Sequence, residues 1–185
     1  IEALSDLFTL RERFGTLQGL KFAYLGDGNN VSHSLLLACA ATGASVAFAG
    51  PEAFRPDSAV IAKAKELAAA SGATIVFTED PFEAADGADA VYTDVHESMG
   101  ETVIPGKLMA LAPYRVTTKV MAAAKPTAVF MHCLPLHRGQ EVEAAVADGP
   151  QSIIFDQAEN RLHVHKAVLL QVLHDERQAE AEAVD

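Results

Sequence analysis

Five short apolar segments rich in β-branched residues alternate with helical stretches along the chain, and this rhythm restricts the possible fold more than any other feature. The segments span residues 20–25, 45–49, 74–77, 88–93 and 127–131, each too short for a helix. Their near-continuous apolar character fits strands covered on both sides, as a parallel sheet requires. The intervening stretches have recognisable helix ends. Asp57 is the expected N-cap of a helix over residues 58–70 with Gly72 just beyond it, and Asp80-Pro81 opens a short helix that Gly87 closes. Further helices are expected over residues 1–14, stopped by Gly15, and over residues 32–42. Asp156 and Glu159 have capping-box spacing for a long helix through Leu173. In it Leu162, Val164, Val168, Leu169 and Leu170 point to most sides, which predicts burial against more than one neighbour. Residues 175–185, acidic and alanine-rich, are expected to form a surface tail.

Strand-helix alternation of this kind predicts an α/β fold: a doubly wound parallel sheet of about five strands with helices on both faces, a Rossmann-like three-layer sandwich. With the strand order 3-2-1-4-5, the carboxyl ends of strands one, four and five meet at the switch point where such sheets bind ligands. Chemistry is therefore sought in the three loops that follow those strands.

Composition narrows the ligand. The 14 basic and 25 acidic residues give a formal charge of -11, which repels phosphate backbones, so no nucleic-acid partner is expected. Cys39 and Cys133 lie far apart, as free thiols of a reducing compartment do. No apolar run approaches the roughly 20 residues of a membrane span, and residues 1–6 do not resemble a signal peptide. The expectation is a cytoplasmic protein with no membrane partner.

After the first strand comes Gly26-Asp27-Gly28-Asn29-Asn30-Val31, a glycine turn feeding a helix N-terminus that can receive an anion. Val31 stands at the third glycine of the dinucleotide fingerprint and no acidic residue ends the second strand, so a nucleotide is disfavoured. The amides of Asn29 and Asn30 can bind a carboxylate and an amine together, or serve only to cap the helix. After strand four comes Asp94-Val95-His96-Glu97-Ser98-Met99-Gly100. A carboxylate at the tip of a buried strand needs a partner, which a substrate ammonium group can be, although Asp94 can also cap a local helix. After strand five comes His132-Cys133-Leu134-Pro135-Leu136-His137-Arg138, where a thiol sits among positive groups that would govern its reactivity. Taken singly, Cys133 also suits a buried small hydrophobe and either histidine a structural role.

Together with Phe155-Asp156-Gln157-Ala158-Glu159-Asn160-Arg161, these segments resemble the second, amino-acid-binding domain of ornithine carbamoyltransferase, in the aspartate/ornithine carbamoyltransferase family. The resemblance runs from about Ser5 to Leu173. It implies transfer of the carbamoyl group of carbamoyl phosphate to the δ-amine of L-ornithine, giving citrulline and phosphate, with no organic cofactor and no metal. By the same resemblance Asn30, Asp94, Ser98 and Met99 hold ornithine, and Cys133, Leu134 and Arg161 line the carbamoyl phosphate side. Cys133 with Asp94 would then free the δ-amine of its proton, while Arg161 and His132 stabilise charge developing on oxygen.

The resemblance also implies an organisation: residues 1–15 as an interdomain helix, 16–155 as the ornithine-binding domain, and 156–174 as a helix packed on a carbamoyl phosphate domain. No Ser-Thr-Arg-Thr or His-Pro-Cys-Gln segment of that domain occurs in the chain, so this half is expected not to turn over alone. The complete enzyme is expected to be a homo-oligomer, a trimer in this family. His96 and Glu97 stand where the family usually has Trp and an apolar residue, which keeps a modified ornithine in view as the acceptor. A stand-alone amino-acid-binding module without catalysis is the alternative from another class.

Overall fold

The computed structural model describes residues 1–98, 100 and 102–182. Its centre is a five-stranded, wholly parallel sheet in the order β3-β2-β1-β4-β5, the expected doubly wound arrangement. The strands are β1 (Lys21–Leu25), β2 (Ser45–Ala49), β3 (Ile75–Thr78), β4 (Ala90–Thr93) and β5 (Val129–His132). The helices are α1 (Glu2–Phe14), α2 (Asn30–Thr42), α3 (Ser58–Ser71), α4 (Pro81–Ala85), α5 (Lys107–Leu111), α6 (Thr118–Ala123), α7 (Ala144–Ala147) and α8 (Ile154–Glu182).

The two faces of the sheet form separate cores, because successive strand residues point to opposite sides. Phe22, Tyr24, Phe48, Tyr92 and Met131 pack with residues of α1, α2 and α3. Ala23, Leu25, Val91 and Phe130 pack on the other side with residues of α4, α6 and α7. The rings of Tyr24 and Phe48 stack at 5.5 Å, and those of Tyr24 and Tyr92 at 5.8 Å, so aromatic contacts run across three adjacent strands.

Several boundaries differ from those the sequence suggests. β4 begins at Ala90 rather than residue 88, because the Asp89 carboxylate accepts the Lys21 N–H and pairs with Lys125 at 2.7 Å. α8 begins at Ile154, so Asp156 lies in its first turn and is not an N-cap; the capping box is not formed, although an acid there still suits the helix dipole. The burial of α8 expected on several sides is not supplied within this chain, where Leu162, Leu169, Leu170, Val172 and Leu173 are exposed. What α8 buries is its first two turns, where Asn160 reaches Thr9 and Gln157 reaches Asp6 of α1. The helix continues through residues 175–182, and residues 183–185 lie outside the described residues. The short helices α5, α6 and α7 have too few turns for an apolar period to reveal them. Among the described residues no helix is long and apolar enough to cross a membrane.

Candidate active site

The three loops expected to carry chemistry do converge at the carboxyl ends of β1, β4 and β5. The glycine turn is shaped by close backbone approach. A Cβ at Gly28 would lie 2.3 Å from Pro56 N and 2.6 Å from Phe54 O, and the Gly28 N–H donates to that carbonyl at 2.7 Å. Gly28 thus admits the close approach of the segment after β2. Lys107, 2% exposed, reaches the same turn from α5 to meet Asp27 at 2.8 Å, beneath a 5.7 Å contact with the Phe54 ring. Sequence reading missed this pair, since no local pattern links residues 27 and 107.

Asn29 caps the helix, one of the two readings of it, and its other end is taken up by Asp94. Its Oδ1 caps α2 by accepting the Val31 and Ser32 N–H groups at 3.0 and 3.1 Å, while its Nδ2 donates to Asp94 Oδ2 at 2.6 Å. Asp94 Oδ1 accepts the Val95 N–H at 2.7 Å and the Cys133 thiol at 2.8 Å. A buried carboxylate is thereby fixed by an amide, a backbone N–H and a thiol that come from three loops.

Cys133 requires a correction. The positive groups near it in sequence are turned elsewhere: Arg138 forms a paired contact with Asp148 at 2.6 and 2.9 Å, and His137 Nδ1 faces Glu141 at 3.7 Å. Burial first and then the Asp94 charge push the Cys133 thiol far up, and it donates a hydrogen bond to Asp94 rather than lying among cations. His132 is enclosed. Its side chain is 0% exposed, with Nδ1 accepting the Leu134 N–H at 2.8 Å and Nε2 directed at Glu141 3.5 Å away. From there it holds the loop through the Leu134 N–H.

Arg161 does reach the site. Its guanidinium donates to the Cys133 carbonyl at 2.9 Å and pairs with Glu2 of α1. Leu134 beside it has φ 58, an uncommon conformation for a branched residue and one found where function constrains the backbone. Asn30 and Ser98 line an adjoining cavity of about 390 Å³ with Asp27, Asn29, Arg55 and Lys107. Met99, the remaining expected ligand of ornithine, lies outside the described residues. His96 is 1% exposed and lies under the turn, where a Cβ on Gly26 would be 3.7 Å from its ring. Burial is the main reason its pKa falls to about 4, so at neutral pH it is an uncharged imidazole.

Donor atoms of Asp94, His132 and Cys133 lie within 4.8 Å of one another, a spacing that can suit a metal. Asp94 is held by Asn29 and Val95, His132 Nδ1 accepts the Leu134 N–H, and the Cys133 thiol donates to Asp94 and holds its proton. These residues do not offer the deprotonated, outward-facing set that a resident cation needs.

Known proteins place this arrangement. Residues 18–172 match the Asp/Orn binding domain of the aspartate/ornithine carbamoyltransferases. The chain belongs to that family. An ornithine carbamoyltransferase of Gloeobacter violaceus is 52% identical over 169 residues, covering 91% of this chain and 54% of that relative. Among solved carbamoyltransferases, the Pyrococcus furiosus ornithine enzyme superposes with a TM-score of 0.86 at 47% identity, covering 91% of this chain and 54% of that one. An N-acetyl-L-ornithine transcarbamylase is more distant, at 31% identity and a TM-score of 0.79 over 91% of this chain and 54% of that one. The chain spans about half the length of these relatives.

Proposed function

We propose that this chain is the ornithine-binding half of an ornithine carbamoyltransferase, which moves the carbamoyl group of carbamoyl phosphate onto the δ-amine of L-ornithine to give citrulline and phosphate. The observation that carries the reading is the Asp94 carboxylate, buried at the switch point and oriented by Asn29 and Cys133, with Arg161 beside it on the Cys133 carbonyl. A preorganised carboxylate of this kind suits an ammonium group, and ornithine brings two. Asn30 and Ser98 on the cavity wall suit its carboxylate and amine end, with Met99 completing the pocket. Leu134 and Cys133 form the floor on which the two substrates meet, and Arg161 neutralises charge that builds on the carbamoyl oxygen as nitrogen attacks. Asp94 is the group placed to receive the proton that the amine must lose, and the Cys133 thiol steadies that carboxylate.

The site would be completed by a carbamoyl phosphate domain docked on α1 and α8. Ile1, Leu4 and Phe8 of the amino-terminal segment and Leu169, Leu170 and Leu173 of α8 supply an apolar surface for it. Assembly into a trimer and residence in the cytoplasm belong to the same proposal. A modified ornithine is the second reading, favoured by Glu97, which lines a neighbouring cavity of about 240 Å³ with Ser98 and Lys107. His96 lends it less support, because its ring lies beneath the turn.

The test is to assay the full-length protein containing this chain with carbamoyl phosphate and ornithine, N-acetylornithine or putrescine. Ornithine should be the preferred acceptor, and Asp94→Ala should raise its KM at least tenfold, the cost of roughly one charge-assisted contact. Preference for N-acetylornithine would install the second reading, and an unchanged KM would remove Asp94 from the binding site.

A further inference from the structure

Glu141 has no part in the reaction described above, yet it is among the most enclosed ionisable groups of the fold, at 0% exposure. Its backbone is pinned from both sides. The Glu141 carbonyl accepts the Val116 N–H at 2.9 Å, and the neighbouring Gln140 carbonyl accepts from Arg115 Nε at 3.0 Å. Its carboxylate is thereby held beneath the end of β5, where Oε1 accepts the His137 N–H and lies 3.5 Å from His132 Nε2. The imidazole of His132 is held by a hydrogen bond at one nitrogen, while the other has Glu141 as its nearest acid. Nδ1 accepts the Leu134 N–H at 2.8 Å, so that nitrogen carries no proton and the ring N–H must be on Nε2, facing the acid. Burial works against charge on Glu141, but the contacts from His132 and the His137 N–H outweigh it and hold the acid below the usual carboxylate range.

We infer that Glu141 is a positioning residue for the carbamoyl-transfer site, setting the tautomer of His132 so that its Nδ1 lone pair anchors the Leu134 amide and the backbone that Arg161 and Asp94 act upon. The chain of contacts is continuous: Glu141 to His132, His132 to the Leu134 N–H, and Cys133 between them with its thiol on Asp94 and its carbonyl on Arg161. Leu134 holds its positive φ inside this clamp. Without the carboxylate only the Leu134 contact favours a proton on Nε2, and the competing tautomer, which turns a donor toward the Leu134 N–H and expels it, gains population. Misplacing one group of a reacting constellation by about 1 Å can cost on the order of a hundredfold in rate. The inference deepens the proposed function and shares its substrates, but its first test does not depend on them.

That test is long-range ¹H–¹⁵N NMR of the histidine rings in the 185-residue chain. His132 should show a single tautomer protonated at Nε2, replaced in Glu141→Gln by a mixture or by the Nδ1-protonated form. A wild-type ring protonated at Nδ1, or identical rings in both proteins, would overturn the inference. In the full-length enzyme Glu141→Gln should lower kcat about tenfold or more while ornithine KM stays within about twofold, as expected of a group that aligns but does not bind. His132→Asn retains an acceptor for Leu134 without a tautomer, so adding Glu141→Gln to it should change kcat by less than about twofold. Additive losses would make Glu141 a merely structural acid and refute its action through His132. A wild-type enzyme that does not carbamoylate ornithine would defeat the functional reading and leave the NMR result to decide the role of Glu141.

Discussion

Cys133 illustrates how far a side chain's chemistry departs from its neighbours in sequence. Flanked by His132 and followed by His137 and Arg138, it looks like a thiol activated by positive charge; in the fold its sulfur lies 2.8 Å from a carboxylate. The thiol should therefore react slowly with Ellman's reagent at pH 8, and Asp94→Asn, which removes the charge that raises it, should speed the reaction. Equal rates in both proteins would mean that access rather than ionisation limits the reaction. His96 supplies a second prediction at this scale. Its folded pKa of about 4 lies below the ordinary 6.5, so the unfolded chain binds the extra proton between those values. Its contribution is intact above pH 6.5 and is lost as pH falls toward 4. At about 1.4 kcal/mol per pKa unit, wild type should lose up to about 3 kcal/mol relative to His96→Phe over that range. Urea unfolding of both proteins at pH 7.5 and 4.5 measures this, and a constant difference would exclude His96 as the cause.

Among the elements, α1 and α8 show how polar groups can join helices that lack an apolar seam. Gln157 accepts the His132 N–H at 3.0 Å and donates to Asp6 at 2.6 Å, so one amide ties α8 to both β5 and α1. Asp6 is buried against Tyr92 as well, and burial raises its pKa to about 7 despite both hydrogen bonds. This acid acts oppositely to His96. Its folded pKa exceeds the ordinary 3.8, so the folded state binds the extra proton and stability declines as pH rises from about 4 to 7. Gln157→Ala strands the His132 backbone N–H and leaves Asp6 with Tyr92 alone, at a cost of about 2–4 kcal/mol, and should loosen α8 before the sheet. Hydrogen exchange should then rise in α1 and α8 first; uniform loss of protection would show that the docking is inseparable from the sheet. The first turn of α8 also explains why Asp156 is not a cap: the Gln157 N–H donates to the Ile153 carbonyl at 2.9 Å, so the helix is already under way.

For the whole molecule, the exposed apolar residues of α8 acquire a meaning only if another body covers them. Leu169→Glu with Leu170→Glu should leave the stability of this chain within about 0.5 kcal/mol, as surface changes do, while impairing assembly and citrulline formation by the full-length protein. Unaltered activity would show that α8 does not carry the interdomain contact. The sequence by itself determined the layers and the strand order, because short segments apolar on both sides can be buried only in a sheet covered by helices, and parallel connections pass over it with one hand. It also marked Asp94 and Cys133 as candidates, since strand ends at a switch point are where such folds hold ligands, while Arg161 entered through the family resemblance alone. The charge around each group was decided only by tertiary structure. Asp94 meets a thiol 39 residues away, Arg161 a carbonyl 28 residues away, and Lys107 an acid that no periodicity connects to it. The physical reason is that secondary structure follows from local spacing, whereas an ionisable group answers to whatever the fold brings within a few ångströms, at whatever distance in sequence.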